Sequence, residues 1–420
     1  MKGLFTYILL IILLAPLTSR SAFLLIPMDD SQTNHLKAYG ITYWTLQNQV
    51  EAWWLLNYRG GSFLTPYNKD IETECRIRDV SFEVIADVQK QQIFNEIARP
   101  DLNMDAVKLE KAPKIAVYSP SDKLPWDDAV TLALTYAEIP YDVIYDAEII
   151  NGDLIKYDWL HLHHEDFTGQ YGKFYAGYRH MQWYREQQQN AETMAKEFGF
   201  NKVSQLKLFV VKTIKAYVSN GGFLFAMCSA TDTFDIALAA EGTDICESMY
   251  DGDPADPDAQ SKLDYSQCLA FEKFTLVRNP MEYEHSNIDV SQTRKVGQDS
   301  DYFTLFEFSA KWDPVPTMLC QSHENLIKGF MGQSTAFNRD VIKSEVLIMG
   351  ENKTANEARY IHGEFGKGMW TFYGGHDPED YRHYVGDPPT KLDLYPNSAG
   401  YRLILNNVLF PAAKKKKLKT

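Results

Sequence analysis

The sequence has no Cys-x-x-Cys pair, so neither a zinc ribbon nor a thioredoxin-type site is indicated. Glycine-rich phosphate loops, a serine-centred elbow and a His-Glu-x-x-His helix are also missing. That removes nucleotide binding of the P-loop kind, serine-hydrolase chemistry and the common metalloprotease arrangement. There is no internal repeat, which excludes a solenoid or propeller, and no long low-complexity linker. Basic residues are in deficit: 42 Lys and Arg face 56 Asp and Glu, for a net charge of −14. A nucleic-acid partner needs an electropositive face and is not expected. The terminal Lys414-Lys415-Lys416-Lys417 run reads as a solvated tail over 411–420.

What is present is enough for a large folded protein. The 420 residues are 45% hydrophobic and 23% charged, room for two or three domains or for one large domain with insertions. Met1-Lys2 followed by an apolar run from Leu4 to Leu17, then Thr18-Ser19-Arg20-Ser21-Ala22, reads as a signal peptide over 1–22. An uncleaved anchor is the alternative. No cysteine stands near the segment, so lipid attachment is not expected. The expected location is periplasmic or secreted, and after cleavage the protein is not expected to be integral to a membrane.

Export changes the reading of the five cysteines, because disulfides persist outside the cytoplasm. Cys246 and Cys268 bracket an acidic loop and are suited to staple it, and Cys75 and Cys320 could pair across the chain. Cys228 is then the thiol left over. It ends the stretch Gly221-Gly222-Phe223-Leu224-Phe225-Ala226-Met227-Cys228, a glycine turn and a short apolar strand, and a helix-like run from Phe234 to Ala240 follows. A strand that stops at a small-flanked cysteine before a helix is how α/β proteins present a nucleophile, and the helix N-terminus would lower the thiol pKa. A small buried cysteine chosen for packing is the alternative.

Around this stretch, strands alternate with helices. Phe23 to Met28 reads as a strand, and 23–110 as an N-terminal α/β flank in which Ser81 to Ile97 is helical. The main domain, 111–410, opens with the strand Ile115–Tyr118 and a helix started by Pro125-Trp126-Asp127-Asp128. Strands at Tyr141–Ile144 and Asp158–His163, a helix at Leu206–Val218, strands at Glu345–Met349, Tyr360–His362 and Gly368–Phe372, and a helix at Ser398–Leu409 complete it. A stretch at about 241–314 interrupts the alternation. The pattern predicts an α/β fold with a doubly wound parallel sheet.

Cysteine catalysis needs a base and a group to orient it. His376 stands just past a strand behind Gly374-Gly375, with Asp377 and Glu379 as carboxylates that could orient its ring. With these residues in hand, Lys114 to Leu409 resembles the class I glutamine amidotransferase-like superfamily, whose fold is flavodoxin-like with an elbow cysteine. Members that hydrolyse glutamine carry Gly-x-Cys-x-Gly at the elbow and His-x-Glu near the end. Here the elbow is Ala226-Met227-Cys228-Ser229-Ala230 and the end is His376-Asp377-Pro378-Glu379. Alanine at both glycine positions and one extra residue before the glutamate fit a divergent branch. The chain is also similar to exported bacterial proteins that automated naming calls asparagine synthetase B. Residue 2 is lysine and the Ser-Gly-Gly-x-Asp-Ser loop of those synthetases is absent, so that activity is not expected.

The resemblance implies a cysteine amidohydrolase: Cys228 attacks an amide carbonyl, His376 shuttles the proton, and backbone N–H groups after Cys228 hold the oxyanion. The amide would belong to a small molecule, a peptide or cell-wall material. His161, His163, His164, Glu165 and Ser229 are the expected substrate-binding residues. The run His161-x-His163-His164-Glu165 has three readings: a metal site, substrate or acid–base groups, and structural histidines. Gly169 to Lys173 could form a lid. Asp251, Asp253, Asp256 and Asp258 either bind calcium or form a solvated acidic loop. No cofactor is expected. The alternative to an enzyme is an inactive binding or assembly module of the cell envelope that uses the same crevice.

Overall fold

The computed structural model describes residues 22–120, 128–313, 315, 319, 324–384 and 386–413. The expected signal segment lies outside the described residues except for Ala22, as do Pro125-Trp126-Asp127, Cys320 and the lysine tail.

The first layer is an antiparallel sheet of five strands: β1 (Ala22–Ile26), β2 (Ala52–Leu56), β3 (Ser62–Pro66), β4 (Glu83–Ala86) and β5 (Asp105–Leu109), in the order β4-β1-β3-β2-β5. Helices α1 (His35–Gln47), α2 (Lys69–Ile77) and α3 (Asp87–Ile97) accompany it. The two-residue period of the strands separates the faces. Leu24, Ile26, Trp54 and Phe63 join the main core, whereas Phe23, Leu25, Leu55 and Leu64 form a smaller cluster with Ile93 and Ile97 of α3. The helical run expected from Ser81 is instead a strand followed by α3. Within it Val84 is exposed and Ile85 buried, the mark of an edge strand with one covered face.

The main layer is a ten-stranded sheet. It contains β6 (Ile115–Tyr118), α4 (Ala129–Tyr136), β7 (Asp142–Ile144), α5 (Asp146–Ile150), β8 (Trp159–Leu162), α6 (Gln182–Glu197), α7 (Val203–Ser219), β9 (Phe223–Met227) and α8 (Asp232–Ala239). There follow β10 (Tyr302–Leu305), β11 (Leu326–Lys328), β12 (Phe337–Asn338), β13 (Leu347–Asn352), β14 (Glu357–Phe365), β15 (Gly368–Tyr373) and α9 (Ala399–Leu409). The order is β11-β10-β13-β14-β15-β9-β8-β6-β7, with β12 on β14. Strands β15, β9, β8, β6 and β7 are mutually parallel. All but the edge strand β7 are covered on both faces, which is why β6, β9 and β15 read as predominantly apolar runs.

From β15 outward the sheet turns antiparallel. A tight connection with Gly366 at φ +63° folds β14 onto β15, and β13, β10 and β11 follow. The fold is therefore α/β with a mixed sheet, parallel in one part and antiparallel in the other, where a doubly wound parallel sheet was expected. Helix α9 lies between the layers: Tyr39 donates to Asn406, and Arg402 Nη2 donates to the Gly60 carbonyl at 2.8 Å. One apolar core runs continuously from the first sheet through α9 to the parallel strands.

Between α8 and β13 the chain is largely irregular, and buried polar groups anchor it. The Asp235 carboxylate accepts from the backbone N–H groups of Leu269, Ala270 and Phe271 at 2.7–2.9 Å. Arg294, Asp301, Glu357 and Arg359 form a buried ion cluster. The expected Cys246–Cys268 disulfide is absent. Both thiols are free and buried, Cys246 donating to the Thr168 carbonyl and Cys268 to that of Asp235. Cys75 is also a free buried thiol. Among the described residues no helix is long and apolar enough to cross a membrane.

Candidate functional site

At the carboxyl end of β9 the chain reverses at Cys228, which adopts φ +53°, a left-handed conformation rare for a residue with a Cβ. A short turn over Cys228–Ala230 leads into α8. The small side chains have a visible use. Ala230 N donates to the His163 carbonyl at 3.0 Å, drawing the elbow against the end of β8. Thr231 Oγ1 and Thr233 Oγ1 donate to the carbonyls of Cys228 and Ser229 at 2.6 Å each, fixing the turn from below.

The opposite wall is the segment 331–335, between β11 and β12. Gly375 N donates to the Ser334 carbonyl at 3.0 Å and His376 N to that of Met331 at 2.9 Å. A Cβ on Gly332 would stand 2.7 Å from the His376 nitrogen, so only glycine permits this approach. Ser334, itself at φ +56°, donates its N–H to Asp289 at 2.9 Å and its hydroxyl to Asp232 at 2.6 Å. Between these walls lies a cavity of about 520 Å³ lined by Cys228, Ser229, His164, His376, His383 and Lys173, among others. Cys228 and His376 therefore meet the same space.

The electrostatics differ from the expected thiolate. Burial pushes the Cys228 thiol up to about 12, against the help of the Ser229 and Gln333 backbone N–H groups that face its sulfur. Asp232 and Asp235 occupy the first turn of α8, where any charge they carry opposes the positive end of the helix dipole. Asp232 and Asp289 raise the thiol pKa further, and burial raises both acids, Asp289 to about 6. His376 is held well below the usual imidazole range, by burial first and then by His164, His163 and His383 around it. At rest the cavity thus holds a neutral thiol and a neutral imidazole.

Of the carboxylates that follow His376 in sequence, Glu379 has Ser398 and Lys328 for neighbours, whereas Asp377 accepts from Glu379 N at 2.9 Å and lies close enough to the imidazoles to act on His163. The His376 ring lies among three imidazoles, with centroids 4.8–4.9 Å from those of His163, His164 and His383. His383 Nδ1 in turn is 2.9 Å from Asp380.

Asp128 is the acid the sequence reading missed. It caps α4, accepting from Val130 N and Thr131 N at 2.7 and 3.0 Å. The same carboxylate lies 3.0 Å from His161 Nε2 and 3.2 Å from His163 Nδ1. Those two rings hold it well below the usual carboxylate range although burial opposes them. His163 is lowered by burial, with Asp128 opposing. The cap signal was legible in the sequence, but its histidine partners come from β8, more than thirty residues later, and no local pattern could announce them.

Other expected residues separate into those at the cavity and those away from it. Ser229 and His164 line it. His161 is packed between Trp159 and Phe225. Glu165 turns into a buried cluster with Lys207, Asp146 and Tyr145. The Gly169–Lys173 segment is a fixed wall. Asp166 accepts from the backbone N–H groups of Thr168, Gln170 and Gly172 at 2.7–3.0 Å, and Tyr171, Gly172 and Lys173 are all left-handed. Lys173 donates to the carbonyls of Val277 and Glu284, and burial lowers it to about 8. In the acidic loop, Asp251 and Asp253 converge with Asp244 on the Lys202 ammonium, and Asp256 pairs with Lys262. Lysine supplies the positive charge that calcium would bring there. Asp258 only precedes a short helix.

No protein-family model matches the chain, and no curated protein matches it in sequence. Solved structures with some likeness include the cytoplasmic proteins STM3548 and STM1381 from Salmonella typhimurium. They are 10% and 11% identical, align over 72% of this chain and all of theirs, and have TM-scores of 0.35 and 0.36. A β-galactosidase from Bacillus circulans sp. alkalophilus is 10% identical over 64% of this chain and 29% of its own, with a TM-score of 0.26. At these scores the likenesses carry no argument about what the chain does.

Proposed function

We propose that the chain is an exported, amidotransferase-like cysteine hydrolase that cleaves an amide in a small molecule, a peptide or cell-wall material. The observation that carries this reading is Cys228, left-handed at a strand-to-helix elbow and open to a cavity it shares with His376. Strained backbone of this kind is retained where a side chain must be aimed. The order of the parallel strands, β7-β6-β8-β9-β15, is second-first-third-fourth-fifth in chain order, which supports the flavodoxin-like class.

The thiol need not ionise at rest. Neutral His376 accepts its proton as sulfur bonds to the carbonyl carbon, then returns it to the leaving nitrogen. The N–H groups of Ser229 and Gln333, which flank the sulfur, are the donors for the developing oxyanion. Asp128 orients the imidazole cluster through His163, in the place expected for Glu379 or Asp377.

The reading is tested by ammonia or amine release from a panel of peptide and cell-wall amides. Turnover that vanishes in both Cys228→Ala and His376→Gln is expected. Turnover that survives Cys228→Ala refutes it. Export is tested by fractionation of the producing cells, with recovery in the cytoplasm as the contrary result. The second reading, a binding module without chemistry, is favoured by one observation, the raised Cys228 thiol.

A further inference from the structure

We propose that His163, His164 and His376 bind a divalent transition-metal ion of the zinc type, with one coordination position open to the cavity. Each residue offers one ring nitrogen, and these atoms lie within 4.8 Å of one another. Tetrahedral zinc with bonds of 2.0–2.1 Å holds its nitrogens roughly 3.3 Å apart, so small ring rotations would complete the set. Three imidazoles with a free fourth position suit zinc and its neighbours in the first transition row.

Two further observations point the same way. His163 is 1% exposed, and its Nε2 has no hydrogen-bond partner among the described residues. A buried imidazole nitrogen left in that state is costly unless something binds there. Its other nitrogen, Nδ1, faces Asp128 Oδ1 at 3.2 Å. A carboxylate behind a histidine, fixing its tautomer and turning the far nitrogen outward, is the support that metal-binding histidines generally have. Access comes from the other two residues, since His164 and His376 both line the cavity.

This site stands independently of the hydrolase reading and constrains it. An ion on His376 occupies the lone pair that would accept the Cys228 proton, so the metal-loaded and thiol-attacking states exclude one another. Zinc is thereby an inhibitor of the thiol chemistry.

The test uses full-length protein stripped with chelator and titrated with Co²⁺, read by visible d–d absorption and followed by displacement with Zn²⁺. One ion per chain is expected. Affinity should fall at least ~10-fold in His164→Ala, and 10–100-fold in Asp128→Asn. His164 is only partly buried, so its removal leaves folding intact, which circular dichroism checks. The exposed His180→Ala variant should bind as wild type does. No stoichiometric ion, binding unmoved by His164→Ala, or a sulfur-to-cobalt charge-transfer band that adds Cys228 to the donors would each overturn the proposal. Because alkylation of Cys228 is measured on the chelated protein, failure of the metal site and failure of the hydrolase are read separately.

Discussion

Replacing Cys228 by glycine should leave a protein about as stable as replacing it by alanine, which erases the usual gap between the two. At an ordinary position glycine is about 0.5–1 kcal/mol worse than alanine, because it loses more backbone freedom on folding. At φ +53° a residue with a Cβ carries roughly 1–2 kcal/mol of left-handed strain that glycine does not. Both variants lose the same buried thiol, so that loss cancels, but alanine keeps a buried methyl worth about 0.8 kcal/mol; strain less entropy and methyl leaves the two variants within about 1 kcal/mol of each other. At about 2 cal/mol/K per residue, 420 residues unfold with an entropy near 0.9 kcal/mol/K, so the shift in melting temperature is only about 1 °C. Urea midpoints at constant m-value are the better assay. Alanine ahead of glycine by about 1.5 kcal/mol, the gap of an unstrained buried position, would refute the strained elbow and, with it, the argument that strain is kept there to aim a nucleophile.

Asp128→Asn keeps a good helix cap, since asparagine and aspartate cap equally well, but removes the charge facing His161 and His163. It should cost about 1.5–3 kcal/mol, and Asp128→Ala about 1 kcal/mol more for the lost cap. Urea unfolding distinguishes them, and equal costs for the two variants would contradict the division. Burial lowers the His362 pKa to about 4, so its folded pKa is below the unfolded one of about 6.5 and the unfolded chain binds its proton first as pH falls. Its contribution to stability is complete above pH 6.5 and is lost toward pH 4, by about 3 kcal/mol. Asp235 and Asp289, both raised to about 6, act in the opposite direction over the same range. Only the difference between wild type and His362→Gln isolates the effect, and a difference independent of pH would refute it.

The parts of the fold that the sequence announced are those whose environment is uniform. Strands β6, β9 and β15 are buried on both faces and carry runs that are apolar but for Thr371, and α9 follows its Ser398 cap. Helix α1 read only as a mixed segment because it is covered on nearly every side: Tyr39 and Tyr43 are buried on one face, Ile41 on the opposite one, and Thr42 and Thr45 are buried as well. No apolar stripe was there to count. The antiparallel half of the sheet escaped notice because direction is set by a single turn at Gly366, not by composition. At the site, Cys228 and His376 were found from strand ends. Glu379 was expected beside His376 because it is near in sequence, yet the turn after β15 carries it toward Ser398. Asp128, His383 and the 331–335 wall reach the site from distant parts of the chain, and such pairings leave no mark in one sequence.

The central claim is that His376 removes the Cys228 proton. Its most direct test is the rate of Cys228 alkylation by chloroacetamide between pH 6 and 10, in chelator-treated wild type and His376→Gln, with the adduct located by mass spectrometry. The account predicts a single adduct at Cys228 that forms well below the thiol's own pKa, and at least ~10 times more slowly without His376. Alkylation that rises only in strong alkali and is indifferent to His376 would contradict it.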